Sequence, residues 1–394
     1  MNQRMLELGS KRSVIREIFE FGKKRKQEVG AENVYDFSLG NPSVNPPEQV
    51  ENILEELLKT EDPTALHGYT SAQGDLSVRT AICDYIKRTH HVPCDPDYIY
   101  MTCGAAASLV ISLSAICEDG DEVITFAPYF TEYKVFAETA GAKLVALDSD
   151  PATFQINFSL LEKSITSKTR AVLVNSPNNP SGVVYNEVTV QRLAEILTQK
   201  SAEYGKTIYL ITDEPYRELV YGGVKVPYLT NYYKHTLVCY SYSKSLSLPG
   251  ERIGYIFVNP EAEKAKEIYL AVCGAGRAHG YVCAPSLFQK MIARCQGITS
   301  DISVYERNRD LLVGALQKYG FICVQPDGAF YLFVKSPEPD ANAFCEKAKK
   351  YNLLLVPGDD FGCKGYVRIA YCVSNDMIRR SLPSFEKLAK EYGL

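Results

Sequence analysis

No tryptophan occurs in the 394 residues, so ring stacking in any ligand site must fall to tyrosine or phenylalanine. No Cys-x-x-Cys pair occurs among the twelve cysteines, which are scattered from Cys83 to Cys372. Several lie in apolar runs, such as Cys239 in Leu237-Val238-Cys239-Tyr240 and Cys273 after Ala271-Val272, where reduced cysteine acts as a small core hydrophobe. That usage predicts free thiols, a reducing compartment and a cytoplasmic location. No window approaches the uninterrupted apolar length of a membrane span. The N-terminal charges Lys11, Arg12, Arg16 and Glu17 leave no apolar signal-peptide core. Charge of one sign is also lacking: a net −4 argues against a nucleic-acid surface. The run Lys23-Lys24-Arg25-Lys26 reads as the solvated face of a helix. Internal repeats, low-complexity tracts and disordered linkers are missing too. What remains is ordinary globular composition, 46% apolar against 23% charged, in a chain too long for one simple core. Two subdomains are expected.

Residues 97 to 258 alternate between short β-rich runs and helical patterns. Strands are predicted over 98–102, 122–126, 144–147, 171–175, 208–212, 237–241 and 254–258, with helices between most of them, as over 187–204. Such alternation predicts an α/β fold with a mostly parallel, seven-stranded sheet covered by helices. Ligands then bind beyond the carboxyl ends of the strands. The last hundred residues mix helical patterns (304–318, 341–351, 376–392) with short strands (328–334, 353–356, 366–371), which predicts a smaller α+β domain. The segment before Asn45, a helical pattern over 14–26 and a strand over 34–39, is expected to pack against it.

The stretch Ser241-Tyr242-Ser243-Lys244-Ser245-Leu246-Ser247-Leu248-Pro249-Gly250-Glu251-Arg252 sets one lysine beside serine hydroxyls and ahead of an arginine. Such a lysine can form an imine with an aldehyde, and Ser241, Ser243 and Arg252 can hold that aldehyde's phosphate, the arginine with bidentate geometry. Taken alone, Ser-x-Ser-Lys more often marks a surface lysine. Asp213 closes the apolar run Ile208-Tyr209-Leu210-Ile211-Thr212, where a carboxylate meets a ligand rather than water. There it can keep a pyridine nitrogen protonated; the plainer alternative is a helix-capping aspartate. Tyr216 follows three residues later and can hydrogen-bond a ring oxygen, as can the amide of Asn179 in Ser176-Pro177-Asn178-Asn179-Pro180-Ser181-Gly182. That segment is otherwise simply a good turn. Gly104-Ala105-Ala106 follows a strand and precedes the helical run 107–117, leaving backbone N–H groups open to phosphate. Phe130, at the same sheet edge, is the stacking candidate. Arg368 interrupts the apolar run Tyr366-Val367-Arg368-Ile369-Ala370 and needs an anion, either a substrate carboxylate or a structural Asp or Glu. Gly40 can add a backbone contact to the same group. The combination predicts a pyridoxal-phosphate (PLP) site with Lys244, Asp213 and Tyr216 as its catalytic side chains.

In this order, from Leu39-Gly40-Asn41-Pro42 to Arg368, these residues resemble the class I/II aminotransferases of the aspartate aminotransferase superfamily, PLP fold type I. The resemblance implies a large PLP-binding domain over 46–280 and a small domain built from 1–45 and 281–394. It implies a homodimer with shared active sites, in which Tyr69 matches the tyrosine that reaches the neighbouring subunit's phosphate. The implied activity moves an α-amino group between an L-amino acid and a 2-oxo acid through a Lys244 internal aldimine. Two positions depart from the dicarboxylate-specific bacterial branch: Ala106 stands where many members carry lysine, and Phe130 replaces a stacking tryptophan. Arg277 or His279 is a candidate for a distal carboxylate, an exposed loop arginine being the plainer reading. A carbon–sulfur β-lyase of the same fold would use the same Lys244, Asp213 and Arg368. A PLP-binding transcription regulator would need an appended DNA-binding domain, for which the acidic charge gives no support.

Overall fold

Each predicted β-rich run over residues 97–258 becomes a strand in the computed structural model of the chain, which describes residues 1–10 and 14–394. Lys11 and Arg12 lie outside the described residues. After a short N-terminal strand β1 (Tyr35–Asp36) come β2 (Ile99–Thr102), β3 (Glu122–Ala127), β4 (Lys143–Asp148), β5 (Thr169–Asn175), β6 (Tyr209–Asp213), β7 (Thr236–Ser241) and β8 (Gly254–Val258). The last seven form one sheet in the order β2-β8-β7-β6-β5-β3-β4. All pairs are parallel except those made by β8, which runs antiparallel to β2 and β7.

Both faces of this sheet are covered, because successive strand residues alternate between two cores. Ala171, Leu173 and Ile211 face one core, which they share with Leu109 and Leu113 of the helix Ala105–Ile116. Val172, Val174 and Leu210 face the other, against Leu193 and Leu197 of the helix Glu187–Tyr204. The helix Ala105–Ile116 begins two residues earlier than its apolar pattern. It lies close to the sheet through small residues: Ser108 Oγ is 2.7 Å from Thr102 Oγ1, and Ser112 Oγ is 3.4 Å from Cys239 Sγ.

Four further strands follow, β9 (Tyr331–Lys335), β10 (Leu353–Leu354), β11 (Val356–Pro357) and β12 (Tyr366–Ala370). β11, β12 and β9 form an antiparallel sheet, and β10 pairs in parallel with β1. Phe37 packs there with Leu312, Phe344 and Phe385 from the helices Ser303–Lys318, Ala341–Lys350 and Asn375–Glu391. Ile18 of the helix Val14–Val29 joins Leu354 and Val356 in a smaller core, so the N-terminal segment packs against the C-terminal third.

Two predicted strands are shorter than expected, for a reason that matters to the site. Phe37 N–H still bonds Leu354 O, and Phe37 O accepts from Ala370 N, so the chain leaves β10 for β12 at this point. Residues 38–40 then turn their carbonyls toward side chains. Likewise Gly328 and Ala329 donate to Gly182 O and Leu219 O before β9 begins, tying that lead-in to the large sheet's loops.

The reading of every cysteine as a free thiol is corrected at one place: Cys83 and Cys94 form a disulfide. The helix Leu76–His90 ends in a left-handed C-cap at His91 (φ 57°), which turns the following chain back against its own helix and brings the two Cα atoms to 5.4 Å. The pattern of core cysteines cannot show such a reversal. The other ten are free. Among the described residues no helix is long and apolar enough to cross a membrane.

Candidate active site

The parallel strands β5, β6 and β7 end at one edge of the sheet, and β8, being reversed, starts there. This places Asn175, Asp213 and Ser241 together with Arg252, two residues ahead of β8. A cavity of about 310 Å³ opens at this edge. Gly40, Ala105, Ala106, Phe130, Asn179, Asp213, Tyr216, Ser241, Ser243, Lys244, Arg252 and Arg368, all singled out in the sequence, line it. Gly40 and Lys244, 204 positions apart, thus share one wall.

Lys244 sits in a single helical turn, Tyr242–Ser245, capped by the Ser241 hydroxyl. Its Nζ donates to Gly40 O at 2.7 Å. Burial pushes its pKa down to about 8, helped by the Arg252 and Arg368 guanidiniums and opposed by Cys372. The amine is therefore far closer to its free-base form at neutral pH than a surface lysine.

Asp213 ends β6, in register with Asn175 of β5. Asn175 Nδ2 donates to Asp213 O at 2.8 Å, and its Oδ1 accepts from Asn179 N at 2.7 Å, so one side chain ties the strand end to the following loop. Tyr133 donates to Asp213 Oδ2 at 2.6 Å, while Oδ1 is buried and has no partner among the described residues. Burial pushes the carboxyl up to about 7, the Tyr133 hydrogen bond opposing and Glu214 adding to the rise. A half-satisfied buried carboxyl is costly and calls for a donor or a positive charge.

The loop that carries Asn179 is closed by Gly182, whose N–H donates to Asn178 O. A Cβ on Gly182 would lie 2.5 Å from Pro326, and its φ of 73° favours glycine in any case. Arg368 donates to Asn179 Oδ1 (3.2 Å) and Ser38 O (2.6 Å), and its Nε is buried with no partner among the described residues. The rings of Tyr331 and Phe361 lie 4.7 and 4.8 Å from its guanidinium carbon. Among the described residues no carboxylate pairs with it, so the structural-partner alternative is not what this fold uses.

The third constellation is a nest of donors. Ser241 and Ser243 hydroxyls are 2.7 Å apart, and Arg252 Nη1 reaches Ser243 Oγ (3.4 Å) and Pro249 O (3.0 Å). Arg252 has φ 52°, an uncommon conformation that turns its side chain back toward the start of the helix Ala105–Ile116. Gly104 (φ 88°) caps that helix, and a Cβ there would stand 2.7 Å from Arg252 Nη2. The N–H groups at a helix start, two hydroxyls and one guanidinium are donors that could hold an anion.

Other sequence candidates lie outside the cavity. Tyr69 is 99% exposed. Arg277 is exposed in the last turn of the helix Ala265–Ala278 rather than in a loop, and His279 Nε2 is 2.8 Å from Ser114 Oγ. Sequence reasoning missed Asn175, Tyr133 and Tyr331. Asn175 carried a signal, a polar residue closing an apolar strand just before Ser176-Pro177. The two tyrosines are hidden among 27.

A family model described as aminotransferase class I and II matches residues 32–385. The aromatic-amino-acid aminotransferase 2 of Thermococcus litoralis is 28% identical, covering 97% of each chain. An aminotransferase structure from Eubacterium rectale is 58% identical with a TM-score of 0.99, covering 100% of this chain and 99% of that one. The aspartate aminotransferase of Thermus thermophilus, solved with maleate, is 25% identical with a TM-score of 0.84, over 98% and 99% of the two chains. This α/β chain therefore belongs to the class I and II aminotransferases and is a transaminase.

Proposed function

We propose that the cavity binds pyridoxal 5′-phosphate and that the chain uses it to move an α-amino group between an L-amino acid and a 2-oxo acid. The observation that carries the cofactor assignment is Asp213 Oδ1, a buried carboxyl oxygen without a partner, in the wall of the cavity that Lys244 also lines. A protonated pyridine nitrogen is the partner such an oxygen needs. The fit extends to the other groups: an amine depressed toward neutrality for the aldehyde, and a Gly104-Ala105-Ala106 helix start with Ser241, Ser243 and Arg252 for the phosphate.

When bound, the cofactor supplies the electron sink that makes the amino acid's Cα–H acidic. The chain supplies the rest. Lys244 Nζ would hold the cofactor's aldehyde and, as the amine lining the cavity, would take up and return the Cα proton of the amino acid. Asp213 would set its negative charge against the ring nitrogen, with Tyr133 fixing the carboxyl's orientation. Tyr216 and the Asn179 amide would donate to the ring oxygen, and Phe130 would pack against the ring. Arg368 takes the substrate carboxylate, with the Gly40 backbone beside it.

The same reading divides the chain into a large domain over 46–280 and a small one from 1–45 with 281–394; the pairing of β1 with β10 supports joining the two chain ends. It makes the working unit a homodimer in which the exposed Tyr69 reaches the neighbouring subunit's phosphate. It also includes a cytoplasmic location, which the ten free cysteines support and the Cys83–Cys94 bond does not, with small-molecule substrates alone and neither nucleic acid nor membrane as partner.

The experiment is an absorbance spectrum of the purified protein with PLP, followed by single amino acids without any oxo acid. A visible band that moves to the near ultraviolet, with release of the matching oxo acid, is expected. A band that persists while pyruvate accumulates from cysteine conjugates would identify a β-lyase instead. No band with added PLP would sink the assignment of Lys244.

Gly104→Ala tests the phosphate cradle separately. A methyl there forces strain at φ 88° and pushes Arg252 aside. Affinity for PLP is expected to fall about tenfold or more, while affinity for pyridoxal, which lacks the phosphate, stays within about twofold. Equal losses for both ligands would place the damage in the fold.

A further inference from the structure

Tyr331 has no role in the assignments above, yet it touches three of their parts. Its hydroxyl is 3.1 Å from the Tyr216 hydroxyl, and both tyrosines are buried. Its ring lies against the Arg368 guanidinium at 4.7 Å. A Cβ on Gly40 would fall 1.8 Å from its oxygen, so the loop whose carbonyl receives Lys244 Nζ is pressed onto this phenol. It also lines the cavity.

We propose that Tyr331 is a positioning residue that donates its hydroxyl proton to Tyr216, freeing the Tyr216 proton for the cofactor's ring oxygen, and holds Arg368 in place with its ring face. The inference rests on the cofactor reading. The hydroxyl pair shares a single hydrogen bond, and neither member has another partner among the described residues. Two protons are thus available for one bond, and the surplus proton must point at an acceptor. An anionic ring oxygen beside Tyr216 fixes the direction: Tyr331 donates to Tyr216, and Tyr216 donates onward. Chains of this kind strengthen each member. The charged and titratable groups facing the pair are Asp213 from β6, Arg368 from β12, Cys372 just beyond β12 and Lys244 through the Gly40 loop. None of the four offers Tyr331 a hydrogen bond of its own. The ring face acts separately: the rings of Tyr331 and Phe361 both lie against the Arg368 guanidinium, which limits its swing without consuming its donors.

The two contributions separate by substitution. Tyr331→Phe keeps the ring and removes the donor; Tyr331→Leu removes both. For each variant the visible band of the PLP-loaded enzyme is titrated with pH, the apoprotein's affinity for PLP is measured, and kcat and KM are taken for an amino acid that shifts the band. In Tyr331→Phe the band's apparent pKa is expected to rise by about half a unit to one unit, because the ring oxygen's anion loses support. PLP affinity should fall about three- to tenfold, with KM within about twofold. Tyr331→Leu should show the same rise in pKa and, in addition, a KM raised about tenfold. An unchanged titration in a Tyr331→Phe protein that melts like the unaltered one overturns the relay. A Tyr331→Leu KM equal to that of Tyr331→Phe overturns the platform. Failure of the unaltered protein to form the band at all overturns the cofactor reading first, and this one with it.

Discussion

Lys244→Met is expected to lower transamination about 10⁴-fold or more while making the PLP-free protein more stable at neutral pH. The activity loss follows from removing both the group that holds the aldehyde and the base that takes the Cα proton; proton transfer alone contributes about 10²- to 10⁴-fold. Methionine fills the space of the lysine stem, so the change is chemical rather than a cavity. The stability gain follows from the amine's pKa, about 8 in the fold against an ordinary value of 10.5. Between those two values the unfolded chain binds a proton that the folded chain has released, so folding stability rises with pH through that window. Below about 8 both states are protonated and the folded state carries the whole cost of burying the charge, roughly 3 kcal/mol. The hydrogen bond to Gly40 O is lost in the variant and offsets about 1 kcal/mol of that gain. Thermal unfolding of the apoproteins at pH 7 and pH 10.5 checks this. The variant's advantage should be present at pH 7 and gone at pH 10.5; an advantage that grows with pH would show that the amine is not held near neutrality.

The parts of this site that were legible in the sequence are those whose chemistry is local. Asp213 at the end of an apolar strand and Arg368 inside one violate the pattern around them, at a physical cost that a ligand or a partner must lift, while Lys244 is marked only by the serines and arginine beside it. Strand positions were legible too, because buried parallel strands read as short apolar runs with turn residues after them. What stayed hidden depends on pairs distant in the chain. Asn175 matters because β5 and β6 are in register, which places it beside Asp213. Tyr133 matters because the helix after Phe130 points it at the same carboxyl. Tyr331 lies in an apolar strand where a tyrosine looks like packing, and only the fold shows that its hydroxyl meets Tyr216. The Cys83–Cys94 bond was missed for the same reason, since a chain reversal at His91 carries no cysteine signal.

Asp213→Asn should separate the ring-nitrogen partner from the rest of the machinery. Asparagine keeps the shape of the side chain and an acceptor for the Tyr133 hydroxyl, whose own pKa burial holds well above the ordinary phenol value, so it remains a donor. What disappears is the negative charge. Activity should fall about 10³-fold, the loss typical of removing one preorganised electrostatic partner, with KM for the amino acid changed little because Arg368 is untouched. The apoprotein should move the other way. The folded carboxyl titrates near 7, above its ordinary 3.8, so between these values the folded chain binds a proton that the unfolded chain has lost. Stability contributed by the protonated form is therefore full below about 4 and lost as the pH rises through 7. Above that point the ionised carboxylate costs the apoprotein roughly 4 kcal/mol, which the neutral amide does not. The asparagine variant should melt higher than the unaltered apoprotein at pH 8 and alongside it at pH 4. Added PLP should reverse the order at pH 8, because a protonated ring nitrogen gains from the carboxylate and not from the amide. If PLP raised both melting temperatures equally, Asp213 would not be the partner of the ring nitrogen, and its unpaired oxygen would need another explanation.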